Sequence, residues 1–187
     1  LKRMFVALDL PLGLRERIFS SPGFDKGKYS GISWVSPENM HLTLKFLGDV
    51  PEEKVKAISD ALARIASHHR PVGVSYGGFG RFGRGGSAGA IWVGASDRSG
   101  KLAALAGDIE GSLEGLGFAR EGRPFSPHLT VCRVREGSNL PSWEEIRPLF
   151  NDVREDVLHE GFSLYESELT PRGPIYTRAG WFGFKRD

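Results

Sequence analysis

His41-Leu42-Thr43-Leu44 and His128-Leu129-Thr130-Val131 are nearly the same four residues, written twice about half a chain apart. Each is entered from a turn-forming stretch, Ser36-Pro37-Glu38-Asn39 in one case and Arg123-Pro124-Phe125-Ser126-Pro127 in the other. With five His in 187 residues, chance placement predicts about 0.1 His-x-Thr motifs. Two of them, sharing the Leu and an apolar fourth residue, point to a duplicated lobe with one motif per half. On a strand, residues i and i+2 share a face. His41 and Thr43 then stand together on a free face, with Leu42, Leu44 and Phe46 turned to a core. His128 and Thr130 stand together likewise, above buried Leu129 and Val131.

Outward from the motifs, strands are expected at Met4–Leu8, Ile32–Val35, His41–Leu47, Val72–Tyr76, Ala90–Val93, His128–Val134, Val157–Tyr165 and Ile175–Phe184. Apolar residues recur at helical spacing in Pro51–His69 (Val55, Ile58, Leu62, Ile65) and Ser99–Leu116 (Leu102, Leu105, Ile109, Leu113, Leu116). Shorter helices are expected at Leu12–Ser20 and at Ser142–Phe150, where Ser142 and Glu145 have capping-box spacing. Helices and strands do not alternate regularly, which favours an α+β fold with antiparallel sheets over a doubly wound parallel one. No low-complexity linker divides the chain, so residues 1–187 are read as one bilobal domain.

The composition is that of a folded globular protein: 40% hydrophobic, 26% charged, net charge +2. That balance argues against wrapping duplex nucleic acid by counterion release. Most of the 25 basic residues are Arg, the better fork for phosphate oxygens. A single cysteine, Cys132, excludes an internal disulfide and a thiolate zinc site. No apolar run reaches membrane-helix length. The N-terminal run Leu1–Leu8 is interrupted by Asp9 and Pro11 and reads as a first strand, not a signal peptide. A cytoplasmic, monomeric protein is expected.

Two imidazoles titrate near neutrality and serve as general base and general acid. Two hydroxyls donate hydrogen bonds to oxygens that gain charge. In-line displacement at a phosphodiester suits that set and needs neither a metal nor a covalent nucleophile. Other patterns carry less. Gly78-Phe79-Gly80-Arg81-Phe82-Gly83 matches a dinucleotide fingerprint, but no helix opens inside it. It reads as a loop, with Arg81 and Arg84 at its rim. Gly85-Gly86-Ser87-Ala88-Gly89 lacks the strand-to-helix setting of a nucleophile elbow. His68 and His69 close a helix, His159 has no partner in sequence, and no cluster has metal-ligand spacing.

Several longer words make the chain recognisable: Arg3–Pro11, Trp34-Val35, His41–Gly48, Arg123–Thr130, Leu164-Tyr165-Glu166-Ser167 and Gly173-Pro174-Ile175-Tyr176. It resembles the two-histidine (2H) phosphoesterase superfamily. Within it, the resemblance is to the RNA 2',3'-cyclic phosphodiesterases, also called 2'-5' RNA ligases. The resemblance implies a bilobal α+β fold: two pseudo-symmetric antiparallel sheets with flanking helices around a central cleft. It implies His41 as proton donor to the leaving 3'-oxygen, His128 as the base that activates water, and Thr43 and Thr130 as phosphate-oxygen donors. Cofactors are expected to be none, and partners to be RNA ends or small cyclic nucleotides, with no membrane. Reversible 2'-5' ligation and an RNA-end binding protein remain the alternatives.

Strict alternation would turn Arg133 away from the His128 face. The apolar phase shifts, however, from Leu129 and Val131 to Cys132 and Val134, so a bulge near Val131–Cys132 is expected to return Arg133 to that face, against phosphate. Lys45, in phase with His41, is expected to be an exposed strand lysine or a cleft cation. Cys132 reads as a small sheet residue. Phe5, Trp34, Phe46 and Phe125 are the aromatic candidates for a nucleobase, with Phe5 and Phe46 placed in the core by alternation.

Overall fold

The structure, a computed structural model, describes residues 1–20, 31–83, 89–138, 144, 153–171 and 173–186. Among them run the strands β1 (Lys2–Asp9), β2 (Ile32–Trp34), β3 (His41–Val50), β4 (Val72–Phe82), β5 (Gly89–Ser96), β6 (His128–Val134), β7 (Arg154–His159), β8 (Gly161–Thr170) and β9 (Gly173–Gly183). The helices are α1 (Leu12–Phe19), α2 (Val55–His68) and α3 (Lys101–Glu114). All pairings are antiparallel, in the order β7-β4-β5-β6-β3-β1-β8-β9, with β2 beside β6.

That order divides at the β3–β6 seam, where Leu42 pairs with Leu129. On either side lies a four-stranded half, β3-β1-β8-β9 or β6-β5-β4-β7. Each half repeats one scheme: a strand (β1 or β5), a helix (α1 or α3), then the motif strand returning antiparallel beside the first. This is the α+β, two-lobed architecture expected, except that the two sheets expected are one, because the Leu42–Leu129 pairing joins the halves into a continuous sheet. The sheet curls, so that β7 comes back toward β1: Arg17 of α1 pairs with Glu155 of β7, and the charge of Asp9 reaches His159.

The core forms where alternation and helical period agree. Met4, Val6 and Leu8 of β1, Leu42 and Leu44 of β3, and Leu129 and Val131 of β6 are buried. They belong to one apolar cluster with Ile58 and Leu62 of α2 and Leu102, Leu105, Ile109 and Leu113 of α3. Helix α3 begins where Asp97 Oδ2 accepts the Leu102 N–H at 2.7 Å, satisfying a donor that the first turn leaves unpaired.

The two motif strands share one irregularity. Opposite β5, Trp92 pairs with Thr130 and Ile91 with Cys132, leaving Val131 as the extra residue of a bulge. Opposite β1, Ala7 pairs with Thr43 and Val6 with Lys45, leaving Leu44 extra in the same place. After each bulge the alternation resumes one residue late. Over seven residues both strands bury the second, fourth, fifth and seventh positions.

Two expectations change, and a third is not tested by the described residues. Val157–Tyr165 is two strands, because the chain passes at Glu160 from β7, paired with β4, to β8, paired with β1. Gly78–Phe82 is strand rather than loop. Gly80 lies beneath the Trp92 ring, where a Cβ would fall 2.2 Å from Cζ2, and Gly78 takes φ 66° in a bulge opposite β5. The helix expected over Ser142–Phe150 lies outside the described residues except for Glu144, which is helical.

Candidate active site

The bulges decide what faces the cleft. One residue to either side of the Leu42–Leu129 pair, Thr130 stands across from His41 and His128 across from Thr43. The two histidines are thus diagonal neighbours across the seam, a relation that spaces side chains by about 7–8 Å. Beyond the bulges come Arg133 at the His41 end and Phe46 at the His128 end. A cleft of about 530 Å³ opens on this face, and His41, Thr43, His128, Thr130 and Arg133 all line it. The guanidinium of Arg133 acts on His41 and on Tyr176 through its charge.

Both rings are held the same way. His41 Nδ1 lies 2.8 Å from the Asn39 carbonyl, and His128 Nδ1 lies 2.7 Å from the Ser126 carbonyl, each two residues upstream. A carbonyl only accepts, so Nδ1 carries the hydrogen and Nε2 is left to the cleft. Phe5 stacks on His41 at 4.6 Å, and Tyr176 meets the ring edge-on at 5.3 Å. Phe82 meets His128 edge-on at 4.8 Å, with Trp92 at 6.3 Å.

Burial pushes His41 down to about 4, against the pull of the Asn39 carbonyl; the Arg133 guanidinium and His128 lower it further, and the Asp9 carboxylate opposes them. His41 is therefore neutral at pH 7. Asp9 pairs with His41 in the β1–β3 register. Its carboxylate accepts Ser163 Oγ at 2.6 Å and the Tyr165 hydroxyl, with Arg178 Nη2 at 3.4 Å. A negative charge is thereby fixed behind the imidazole.

Lys45 is neither exposed nor in the cleft. The Leu44 bulge turns it inward, to 4% exposure, where Nζ bonds Glu110 Oε2 at 2.6 Å and the Ala119 carbonyl at 2.8 Å. The same slip brings out Phe46, which is 59% exposed and lines the cleft rather than the core. Phe5 is buried as expected, but as the plate beneath His41. Trp34 lines the cleft, whereas Phe125 lines a neighbouring cavity. Cys132 is buried, and burial pushes its thiol up to about 11, so it is inert. Arg81 stands on β4, outside the residues that line the cleft, and Arg84 lies outside the described residues. His159, unpartnered in the sequence reading, meets the Tyr76 hydroxyl at 2.9 Å. Sequence reasoning missed Asp9, Phe82 and Tyr176. Phe46 was misplaced because Leu42, Leu44 and Phe46 alternate without a break, so the slip at Leu44 shows only in the β1–β3 register.

A duplicated antiparallel fold that sets two imidazoles and two hydroxyls across one seam, with an arginine at its end, defines a two-histidine phosphoesterase. The family model described as LigT like Phosphoesterase matches residues 25–92 and again residues 93–176, one match around each motif. The chain belongs to that family. It is 36% identical over 174 residues to a protein of Archaeoglobus fulgidus named RNA 2',3'-cyclic phosphodiesterase, covering 93% of this chain and 96% of the relative. Among solved structures, a Thermus thermophilus protein superposes with a TM-score of 0.78 at 27% identity, covering 97% of each chain. E. coli LigT complexed with 3'-AMP gives a TM-score of 0.76 at 26% identity, covering 99% of each chain. Among the described residues, no helix is long and apolar enough to cross a membrane.

Proposed function

We propose that this chain hydrolyses 2',3'-cyclic phosphate ends of RNA, or small cyclic nucleotides, to 2'-phosphomonoesters by metal-independent general acid–base catalysis. The observation that carries the reading is the matched anchoring of the two imidazoles. Each has Nδ1 tied to a backbone carbonyl and Nε2 left to the cleft, and each stands across the seam from the other motif's threonine. The named activity of the Archaeoglobus fulgidus relative supports it, and so does the nucleotide complex of E. coli LigT.

The cyclic phosphate sits over the seam. The Thr43 and Thr130 hydroxyls and the Arg133 guanidinium donate to its non-bridging oxygens, where charge accumulates. His128 Nε2 takes a proton from water as its oxygen bonds to phosphorus in line with the 3'-oxygen. That bond breaks, and protonated His41 gives its Nε2 proton to the departing oxygen. The products are a 2'-phosphate and a free 3'-hydroxyl. Because burial keeps His41 neutral near pH 7, it takes up its proton together with the anionic phosphate, whose charge stabilises the imidazolium. Proton exchange with solvent restores both rings.

Among the described residues no three His, Cys, Asp or Glu side chains gather as metal ligands would. The test is turnover of a nucleoside 2',3'-cyclic phosphate in excess EDTA, with the product identified as the 2'-phosphate. Activity lost to chelator and restored by Zn²⁺ would overturn metal independence. Products bearing a 3'-phosphate would overturn the assignment of the leaving oxygen.

A further inference from the structure

Among the described residues the exposed aromatic rings are Phe46, Phe82 and Trp181. The first two line the catalytic cleft, and Trp181 does not. The cross-strand register nevertheless places Trp181 on the cleft face. Thr43 of β3, Ala7 of β1, Ser163 of β8 and Trp181 of β9 form one row of directly paired residues, and paired residues point to the same side of a sheet. With strands about 4.8 Å apart, the row carries Trp181 about 14 Å from Thr43.

The indole lies flat on the sheet. Beneath it Gly161 and Gly183 pair with each other. A Cβ at Gly161 would fall 2.8 Å from Cζ2 of the ring, and one at Gly183 2.7 Å from Cη2. Any larger residue at either position would lift the ring. With one face bedded on glycine and the residue 52% exposed, the other face is open to solvent. A lone exposed apolar side chain is ordinary, but a flat indole on a glycine pair is a stacking plate. Arg178 stands between this plate and His41. It pairs with Tyr165 on the same face, separated from Trp181 by Gly180 and the bulge residue Ala179. Asp9 holds its guanidinium at 3.4 Å, and its side chain stays 53% exposed.

The hydrolytic reading gives the substrate a direction. The 3'-oxygen leaves toward His41. The ribose that carries it, and the RNA joined to that ribose, therefore lie over the half β3-β1-β8-β9, which also carries Arg178 and Trp181. We propose that Trp181 is a stacking platform for a nucleobase of the RNA upstream of its cyclic end, with Arg178 donating to a phosphate on the way. The inference rests on the hydrolytic reading and extends it from a terminal nucleotide to an RNA chain. Stacking tolerates any base, so the platform reads length and not sequence. A protein partner suits the surface less well. The ring is flanked by the Arg178–Asp9 pair and, at the strand ends, by the Arg186–Glu160 pair, whereas the core of a protein interface is depleted of charge.

The experiment compares a nucleoside 2',3'-cyclic phosphate with oligoribonucleotides of increasing length that end in the same group. In the wild type KM falls with length and then levels. Trp181→Leu keeps an apolar side chain on the glycines but removes the π-face. It raises KM for the long oligomer about fivefold or more, the scale of one lost base stack, and leaves kcat and the mononucleotide constants unchanged. Trp181→Phe retains most of the length effect. An oligomer lacking the base at the responsive position loses the advantage on the wild-type protein, a readout independent of any variant's folding. Equal KM values for mononucleotide and oligomers in the wild type overturn the platform and leave the hydrolytic reading standing. So does a Trp181→Leu effect that is the same on both substrates, or one confined to the oligomeric state, which would assign the ring to a second copy of the chain. Absence of hydrolysis of every substrate overturns the underlying reading itself.

Discussion

At the scale of single residues, the two histidines are alike in anchoring and unlike in environment. Both give Nδ1–H to a carbonyl two residues upstream, but burial against Phe5 and Tyr176 takes His41 down to about 4. An NMR titration of the free protein should show the His41 imidazole protonating near pH 4, and addition of inorganic phosphate should move that midpoint upward. A midpoint unmoved by saturating phosphate would remove the account of how His41 acquires its proton. Replacing either His41 or His128 by Ala should slow turnover by about 10²–10⁴, the scale of a general acid or base. Arg133→Ala should cost about tenfold or more in kcat/KM, from the loss of a charge-assisted contact, and Arg133→Lys should restore only part of it, because an ammonium cannot reproduce the fork. That the four motif residues and Arg133 share one face of the cleft was legible, because strand alternation plus one phase shift is a local rule. Asp9 was not: its place behind His41 depends on a cross-strand register that no local pattern states.

At the scale of elements, the paired bulges are what make the site. Without Leu44 and Val131 as extra residues, Arg133 and Phe46 would face the core and Lys45 the cleft. The sequence reading applied the phase shift to β6 and not to β3, and so misplaced both Lys45 and Phe46. Lys45 now ties β3 to α3 through Glu110, and to the 119–127 segment through the Ala119 carbonyl and the Glu121 N–H, which Glu110 Oε2 accepts at 3.2 Å. That segment carries Ser126, whose carbonyl orients His128. Lys45→Met strands the Glu110 carboxylate, which is only 18% exposed. It should destabilise the protein by about 3 kcal/mol in urea unfolding, the scale for breaking a buried pair. Combining it with Glu110→Leu should recover part of that loss. A double variant that is worse by the full sum would show the two side chains to be energetically independent.

At the scale of the whole molecule, the duplication was visible as a repeated tetrapeptide, while the closing of the two halves was not. His159 illustrates why: it sits at the end of β7, far from any motif in sequence, yet the curl of the sheet brings it against β1. There the residue is 5% exposed, its ring meets the Tyr76 hydroxyl at 2.9 Å, and burial pushes the imidazole down to about 4 despite the nearby Asp9 charge and a hydrogen bond to the Asp9 backbone. The neutral ring is thus built into the join, with Tyr76 donating to Nε2. The unfolded chain protonates this histidine near pH 6.5, so between pH 6.5 and 4 it binds more protons than the native state does. Stability is therefore full above pH 6.5 and falls as the pH drops toward 4, by on the order of 3 kcal/mol for His159; His41 acts in the same direction. Most carboxylates titrate below pH 5, so the interval from pH 6.5 to 5 isolates the histidines. Urea midpoints should fall across that interval in the wild type. They should fall less in His159→Gln, which can still accept from Tyr76 but takes no proton. A wild-type midpoint that stays level from pH 7 to pH 5 would mean the join does not depend on a neutral His159.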